Sequence, residues 1–506
     1  MGSRVIGTSC LLALLLVIPG IAMGSYDYEL GDWGKLNVKG DLTYGVKVRT
    51  ERPNPDWVYL SQGNLNFDIG DVTNNNIIAT MDINLDSEHF TFYGRLVGRL
   101  DWAYTDPDTF SSGTRAHAAY NITDAGEFFL EGRFGRFTTR WGRHIVQWGE
   151  NFAAVFTGLN EVSPMALGLL DTAGNPPRST QVPTFLSWNS FRLTNDISFE
   201  LIWQPDFDPR YWFPVVGTFG STSDLLGFGA ITSFDLEIVP GFSVPVQVDD
   251  QRPKDFSDQQ QYGAAMRMVF PKLNLLEMGL YYYHYRNRTP FGKMEVAGPL
   301  GLPDRLIFEW PELDYFGMSF AQAIQTLFGR NFDWTITGEL IWRPNDPVTV
   351  DQGVGGGYQR QNTLAWNINF WKMLPNLMPF TPWAVTFSPM IEFNGKAFLE
   401  HDADIMVDPT LTANYWVMLP LTVDKLIDNT KLDFTVMARG GLQAQPDATA
   451  SNNNRHSFGF SLGAKYGSTW GTKFGYTLTI HNEAENPTGS SRADRDNFGW
   501  SVTYYW

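Results

Sequence analysis

The sequence gathers positive charge into one short region. Arg95 and Arg99 precede Asp101, and Arg133, Arg136, Arg140 and Arg143 follow, with Glu131 just ahead of them and Gln147 just behind. A guanidinium offers a planar fork of donors matched to carboxylate and phosphate. Such a stripe has two uses. It can form an anion-selective or carboxylate-binding constriction. Alternatively, Glu131, Asp101 and loop carboxylates neutralise it into a salt-bridged wall.

A second candidate is apolar. The stretch "VSPMALGLLDTAGNPP" places Met165, Leu167, Leu169 and Leu170 in a long polar connection, 149–181, where exposed apolar side chains need cover. Connection 207–257 repeats the theme with Trp212, Phe213, Val215, Val216, Phe219, Leu225, Leu226 and Phe228. Folded inward, the two would make an amphipathic constriction suited to a hydrophobic acid or an aromatic solute. Folded on each other, they would form an external cap.

Other chemistries lack their residues. Cys10 is the only cysteine, so disulfides, thiolate metal sites and a cysteine nucleophile are excluded from the chain beyond it. Asp206, Asp208, Asp249, Asp250, Asp402, Asp404 and Asp408 cluster in loops but without EF-hand spacing, so no metal or other cofactor is expected. None of the seven histidines sits in a zinc or hydrolase motif. His481 and Ser501 fall on neighbouring expected strands but have no third partner, and no enzyme is expected. A formal charge of −17 argues against nucleic acid as a partner.

The elements that must position these groups show a period of two. Phe92, Leu96, Leu100, Trp102 and Tyr104 share one parity, and Arg95, Arg99 and Asp101 the other. An arginine facing lipid near the midplane costs about 2–4 kcal/mol, so Arg95 and Arg99 are expected to face inward. Phe474, Tyr476, Leu478 and Ile480 alternate with Gly and Thr, as do Phe458, Phe460 and Leu462 with Ser and Gly. The last residues continue the pattern with Phe498, Trp500, Val502, Tyr504 and Trp506. Alternation blurs only between Arg140 and Trp148.

About eighteen strands follow, near 35–50, 76–87, 90–105, 127–134, 137–148, 182–194, 196–206, 258–270, 273–287, 312–325, 331–344, 358–371, 381–395, 413–424, 431–442, 456–467, 472–482 and 496–506. Sixteen remain possible, because 127–134 is marginal. Short links alternate with long ones, the long ones at 51–75, 106–126, 149–181, 207–257, 288–311, 345–357, 396–412, 443–455 and 483–495. A soluble sandwich has no reason to sort its loops this way. An all-β, transmembrane, antiparallel up-and-down barrel requires it, with short periplasmic turns and long extracellular loops. The aromatic strip ending at Trp506 is then expected to face lipid, to close the wall and to act as the C-terminal signal for the barrel assembly machinery.

Arg4, the apolar run from Cys10 to Ile18, and the small residues up to Gly24 read as a cleaved signal peptide over 1–24, leaving 25–506 as one barrel in the outer membrane. The segments "GNLNFDIGDVTNN" (63–75), "RWGRHIVQWGENF" (140–152), "GLNEVSPMAL" (158–167) and, more loosely, "FSDQQQYGAAMRM" (256–268) resemble the Gram-negative outer-membrane barrels of domain of unknown function 1302, with His144 where that pattern has Gln. The resemblance implies a porin-like barrel, without fixing a substrate. The expected partners are outer-membrane lipids and lipopolysaccharide, the assembly machinery and a small-molecule solute. Three readings stay open: a channel for small, hydrophobic or anionic solutes, a component of a hydrophobic-compound or lipid pathway, and a structural or adhesive barrel.

Overall fold

The computed structural model describes residues 26–53, 62–121, 126–150, 158–163, 173, 181–221, 223–296, 301–327, 330–349, 357–399, 411–425, 427, 429–443, 456–480 and 495–506. Eighteen antiparallel strands form a closed wall. They are β1 (Lys35–Arg49), β2 (Val72–Asp86), β3 (Phe90–Asp101), β4 (Phe128–Phe134), β5 (Phe137–His144), β6 (Thr184–Arg192), β7 (Ile197–Gln204), β8 (Gln261–Phe270) and β9 (Leu276–Arg286). The circle continues through β10 (Glu312–Leu327), β11 (Arg330–Thr349), β12 (Tyr358–Trp371), β13 (Met390–Phe398), β14 (Leu411–Asp424), β15 (Thr430–Gln443), β16 (His456–Tyr466), β17 (Trp470–Ile480) and β18 (Asn497–Tyr505). The marginal strand β4 pairs on both sides, with β3 and β5, so the count is eighteen rather than sixteen.

Each strand pairs with the next and β18 returns to β1, from Asp41 opposite Tyr505 to Arg49 opposite Asn497. Gly40 and Trp506 then exchange two backbone hydrogen bonds of 2.9 Å. Below them the short strand Tyr26–Glu29 takes over the same edge of β1, with Tyr26 opposite Val38. The seam thus leaves no open edge, which hydrocarbon would penalise by several kcal/mol per unpaired group.

The pleat sends successive side chains to opposite faces. Leu96, Leu130, Trp141, Phe316, Trp342, Phe460, Phe474 and Phe498 stand exposed on the outer face. Most of their neighbours at the other parity are polar, small or charged, with Val97, Phe129, Tyr315 and Ile341 as inward apolar exceptions. Lining the outer face with rings would be unfavourable in water and is favourable in acyl chains.

Several elements depart from the sequence expectation: β2 begins at Val72 rather than 76, β11 runs to Thr349 rather than 344, and β13 covers Met390–Phe398 rather than 381–395. Strand β3 stops at Asp101 rather than 105, because the Asp101 carboxylate caps a 3-10 turn, Trp102–Tyr104, by accepting from the Ala103 N–H. Strand β5 stops at His144 rather than 148, where the chain leaves the wall. The long connections 207–257 and 288–311 hold a second, four-stranded sheet, made of Ser233–Val239, Phe242–Asp250, Arg305–Glu309 and Phe291–Glu295. Its hairpin turns at Pro240-Gly241, with Gly241 at φ 81°, a turn signal available in the sequence.

Candidate pore and its constriction

Strand β5 carries the chain to Gly142, whose φ of 128° suits glycine, and at His144 the ladder ends. The next residues find other partners. Ile145 N–H donates to Glu127 Oε1 at 3.3 Å and Val146 N–H to Ser163 Oγ at 2.9 Å. Trp148 is 1% exposed. Its Nε1–H donates at 3.0 Å to Glu200 on β7, which also accepts from Trp188 Nε1 at 3.1 Å and pairs with Arg267 on β8 at 2.7 Å. A Cβ on Gly263 of β8 would lie 2.8 Å from the Trp148 ring, so the indole sits directly on the inner backbone of the wall.

Gly149, Glu150 and residues 158–163 then reach β9, β10, β11 and β12. The Glu339 carboxylate on β11 accepts the N–H of Glu150 at 2.5 Å and of Leu159 at 2.9 Å, gripping two points of the segment at once. Tyr315 Oη donates to the Leu159 carbonyl at 2.8 Å, and Asn369 Nδ2 to the Glu150 carbonyl at 3.2 Å. Leu159 also packs where a Cβ on Gly317 of β10 would be. Glu161 lies 3.5 Å from the Arg343 guanidinium, and its carbonyl accepts from Arg288 at 3.0 Å. Burial pushes the Glu161 carboxyl above its ordinary range, against the pull of Arg343 and Arg288. Around these contacts Tyr281, Tyr283, Tyr285 and Tyr315 form an inward aromatic cluster, with the Tyr283 and Tyr285 rings stacked at 5.1 Å.

The far end of the connection meets the opposite wall. A Cβ on Gly45 of β1 would lie 2.6 Å from the Ala173 carbonyl oxygen. Strands β1 and β10 are diametrically placed in an eighteen-membered circle, so Leu159 and Ala173 lie against opposite sides of the wall.

The inner face of β15–β18 differs sharply. Thr435, Ser461, Gly475 and Gly499 are register partners in one row, and Gly459 and Thr477 in the next. Among the described residues the side chains in these rows are small apart from Met437, the register partner of Gly459.

Residues 5–505 match the family model described as Protein of unknown function (DUF1302). The chain belongs to the DUF1302 family. No curated protein matches the sequence. Solved structures similar to this DUF1302 barrel include a BenF-like porin from Pseudomonas fluorescens Pf-5 (8% identity, 93% of this chain and 98% of that chain, TM-score 0.45). Others are OccAB3 of Acinetobacter baumannii (8%, 93% and 99%, 0.44) and the outer membrane channel DcaP of the same organism (8%, 96% and 100%, 0.37).

In this DUF1302 chain the motif beginning at Arg140 and the start of 158–167 carry residues that leave the strand ladder and dock on the inner face of the wall. The arginines are largely paired. Arg95 faces the interior with Nε 3.6 Å from Asp82 Oδ1, and Arg99 faces it in register with Ile78. Glu131 holds Arg140 at 2.6 Å, and Arg140 lies over the Phe129 ring at 4.5 Å. Arg133 pairs with Asp86 at 2.7 Å, and Arg136 donates to the Leu193 carbonyl at 2.9 Å. Three expected pore-lining residues stand elsewhere. Asp101 is buried as a cap that also accepts from the Asn75 N–H and Asn74 Nδ2. Arg143 shares the outward parity of its partners Phe128 and Phe185, and its Nε donates to the Pro183 carbonyl at 2.9 Å near the rim. Gln147 has left the strand, and its carbonyl accepts from Arg267 at 3.2 Å.

Met165, Leu167, Leu169, Leu170, Asp402, Asp404, Asp408 and His481 lie outside the described residues. In connection 207–257, Phe219 packs with Phe67, Tyr104 and Phe110 from the other long loops, the contacts of a cap. Asp208 and Asp250 are paired with Arg210 and Arg252, each at 2.6 Å, and among the described residues no cluster of three potential metal ligands occurs. Sequence inspection missed Glu339, Glu200 and the tyrosine wall, whose inward parity was readable but whose partner segment was not.

Proposed function

We propose that this DUF1302 protein is an outer-membrane, porin-like channel for small solutes, without catalytic activity, whose width is set by the segment crossing from β5. The reading rests on one observation: the interior is divided. Strands β6–β12 are covered by Trp148, Leu159 and the tyrosine cluster, while the middle rows of β15–β18 present chiefly glycine, serine and threonine, with Met437 among them. A barrel filled only for stability would have no reason to keep one half small and polar, and a non-transporting surface barrel would need no anchored inner segment. The aromatic half adds a low-polarity flank suited to solutes with an apolar body. The arginine stripe is a weak basis for selectivity, because Arg95, Arg133 and Arg140 have carboxylates beside them.

Single-channel recording of the purified protein in a planar bilayer tests this directly. Steady open steps are expected, and electrically silent insertion of folded protein would reject the channel.

A further inference from the structure

The inner face of β12–β14, between the covered and the open halves of the lumen, carries a patch of carboxamides. Two register rows build it, one running Glu339, Asn367, Asn394 and Asn414, the other Thr337, Asn369, Glu392 and Trp416. Asn414 Nδ2 donates to Asn394 Oδ1 at 3.3 Å, and Asn394 Nδ2 to Glu392 Oε1 at 3.1 Å. Asn369 Nδ2 donates to Asn367 Oδ1 at 2.8 Å and also reaches Thr337 Oγ1 at 3.1 Å and the Glu150 carbonyl. There the network stops half-made. Asn367 Nδ2 and Asn369 Oδ1 are sealed from water and have no hydrogen-bond partner, in side chains 3% and 5% exposed. Buried polar groups are normally paired, and one left unpaired costs more than a typical hydrogen bond gains. Higher on the same face of β12, Gln359 and Gln361 each leave Oε1 unpartnered. The charged groups bordering the patch are engaged: Glu339 by the Glu150 and Leu159 N–H groups, Glu392 by Asn394, and Lys396 by Asp346 at 2.8 Å. Arg439, the register partner of Trp416, stands at the edge toward the open half.

We propose that this amide patch is a binding subsite for the hydroxyl groups of an uncharged, hydroxyl-bearing solute such as a sugar. The inference rests on the channel reading and names a solute class for it. The free donor of Asn367 and the free acceptor of Asn369 belong to side chains already joined by one hydrogen bond, so a single small group can meet both. A hydroxyl accepts from the first and donates to the second. A carboxylate has no proton to donate and an ammonium has no lone pair to offer, so neither satisfies the pair. Trp416, half-buried in the same row as Glu392, supplies an aromatic surface for the apolar side of such a solute. Glu150 rests on Asn369 at the covered end of the patch, while Asn414 and Trp416 at the other end are half-buried. A solute therefore enters from the open half, and the inner pair is reached when Glu150 lifts from Asn369.

The test is single-channel current in planar bilayers with glucose titrated against the wild type, Asn367→Leu and Asn414→Leu, each scaled to its own glucose-free current, and with benzoate as the charged comparison. Glucose is expected to interrupt the wild-type current saturably. Asn367→Leu removes the free donor together with the acceptor that orients Asn369, and should raise the half-blocking concentration ~10-fold; Asn414→Leu, at the half-buried end, should raise it ~3-fold. Should Asn367→Leu not fold, the Asn414→Leu comparison decides alone. Glucose block that is equal in all the proteins, or absent from a conducting wild type, overturns the subsite and leaves the channel standing, as does benzoate block that shifts in step with glucose block. If the wild type carries no current, the channel reading fails. Equilibrium dialysis of radiolabelled glucose against the detergent-solubilised full chain then decides the subsite: binding weakened in the variants supports it, and binding unchanged or absent throughout rejects it.

Discussion

Glu339 is the point at which the crossing segment is most exposed to perturbation. Its carboxylate accepts two backbone N–H groups, of Glu150 and Leu159, and is itself only 4% exposed. Glu339→Ala removes both acceptors at once. A buried amide left unsatisfied costs about 1–3 kcal/mol, and taking the low end because water can enter from the open half gives about 2 kcal/mol against the docked segment. At about 1.4 kcal/mol per tenfold, the ratio of released to docked segment rises ~30-fold. Glu339→Gln keeps one carbonyl acceptor and sets its amide against a donor, so it should fall between. The assay is single-channel conductance with dwell-time analysis. Glu339→Ala is expected to show a larger or more frequent high-conductance level, and Glu339→Gln a smaller effect in the same direction. Equal conductance and dwell times in all three proteins would show that this carboxylate does not hold the constriction.

Acidification should act through the same segment. Burial raises both Glu150 and Glu161 above the ordinary carboxylate range, so the docked segment binds protons more tightly than a released one. Docking is therefore most favoured below the ordinary carboxylate pKa and loses that contribution as pH rises through the raised values. The high-conductance level should be rarer at pH 4 than at pH 7, and the opposite trend would refute the assignment. Gly317→Ala places a methyl where the Leu159 side chain lies, and should raise conductance in planar bilayers without loss of the folded band in unheated electrophoresis. Gly40→Val collides with the Thr80 carbonyl and the Trp506 ring at the seam, and should abolish that folded band while leaving synthesis unchanged.

How much of this could be read beforehand depends on the range of the contact. The wall was readable because alternation is local: Phe474, Tyr476 and Leu478 announce their faces without reference to any other strand. The same holds for the inward parity of Arg95 and Arg140. The hairpin at Pro240-Gly241 also carries a local signal, but its strands fall outside the alternation of short turns and long loops that marks the membrane wall. Asp101 was misplaced because capping of the following turn competes with the strand register that its parity suggested. The blurred alternation after Arg140 was the trace of a chain about to leave the wall, yet nothing local says where it goes. Glu339 meets Glu150 and Leu159 across 189 and 180 positions, and a contact of that separation has no signature in a single sequence.

That separation has a consequence for assembly. The inner segment is anchored to β1 at one end and to β10, β11 and β12 at the other, so its two supports become simultaneously available only when the circle has been drawn together. Long-range pairings pay their chain entropy before they are rewarded. Docking inside the barrel is thus a late event, and a cross-link between Gly45 and Ala173 would report completed closure rather than the insertion of any one hairpin.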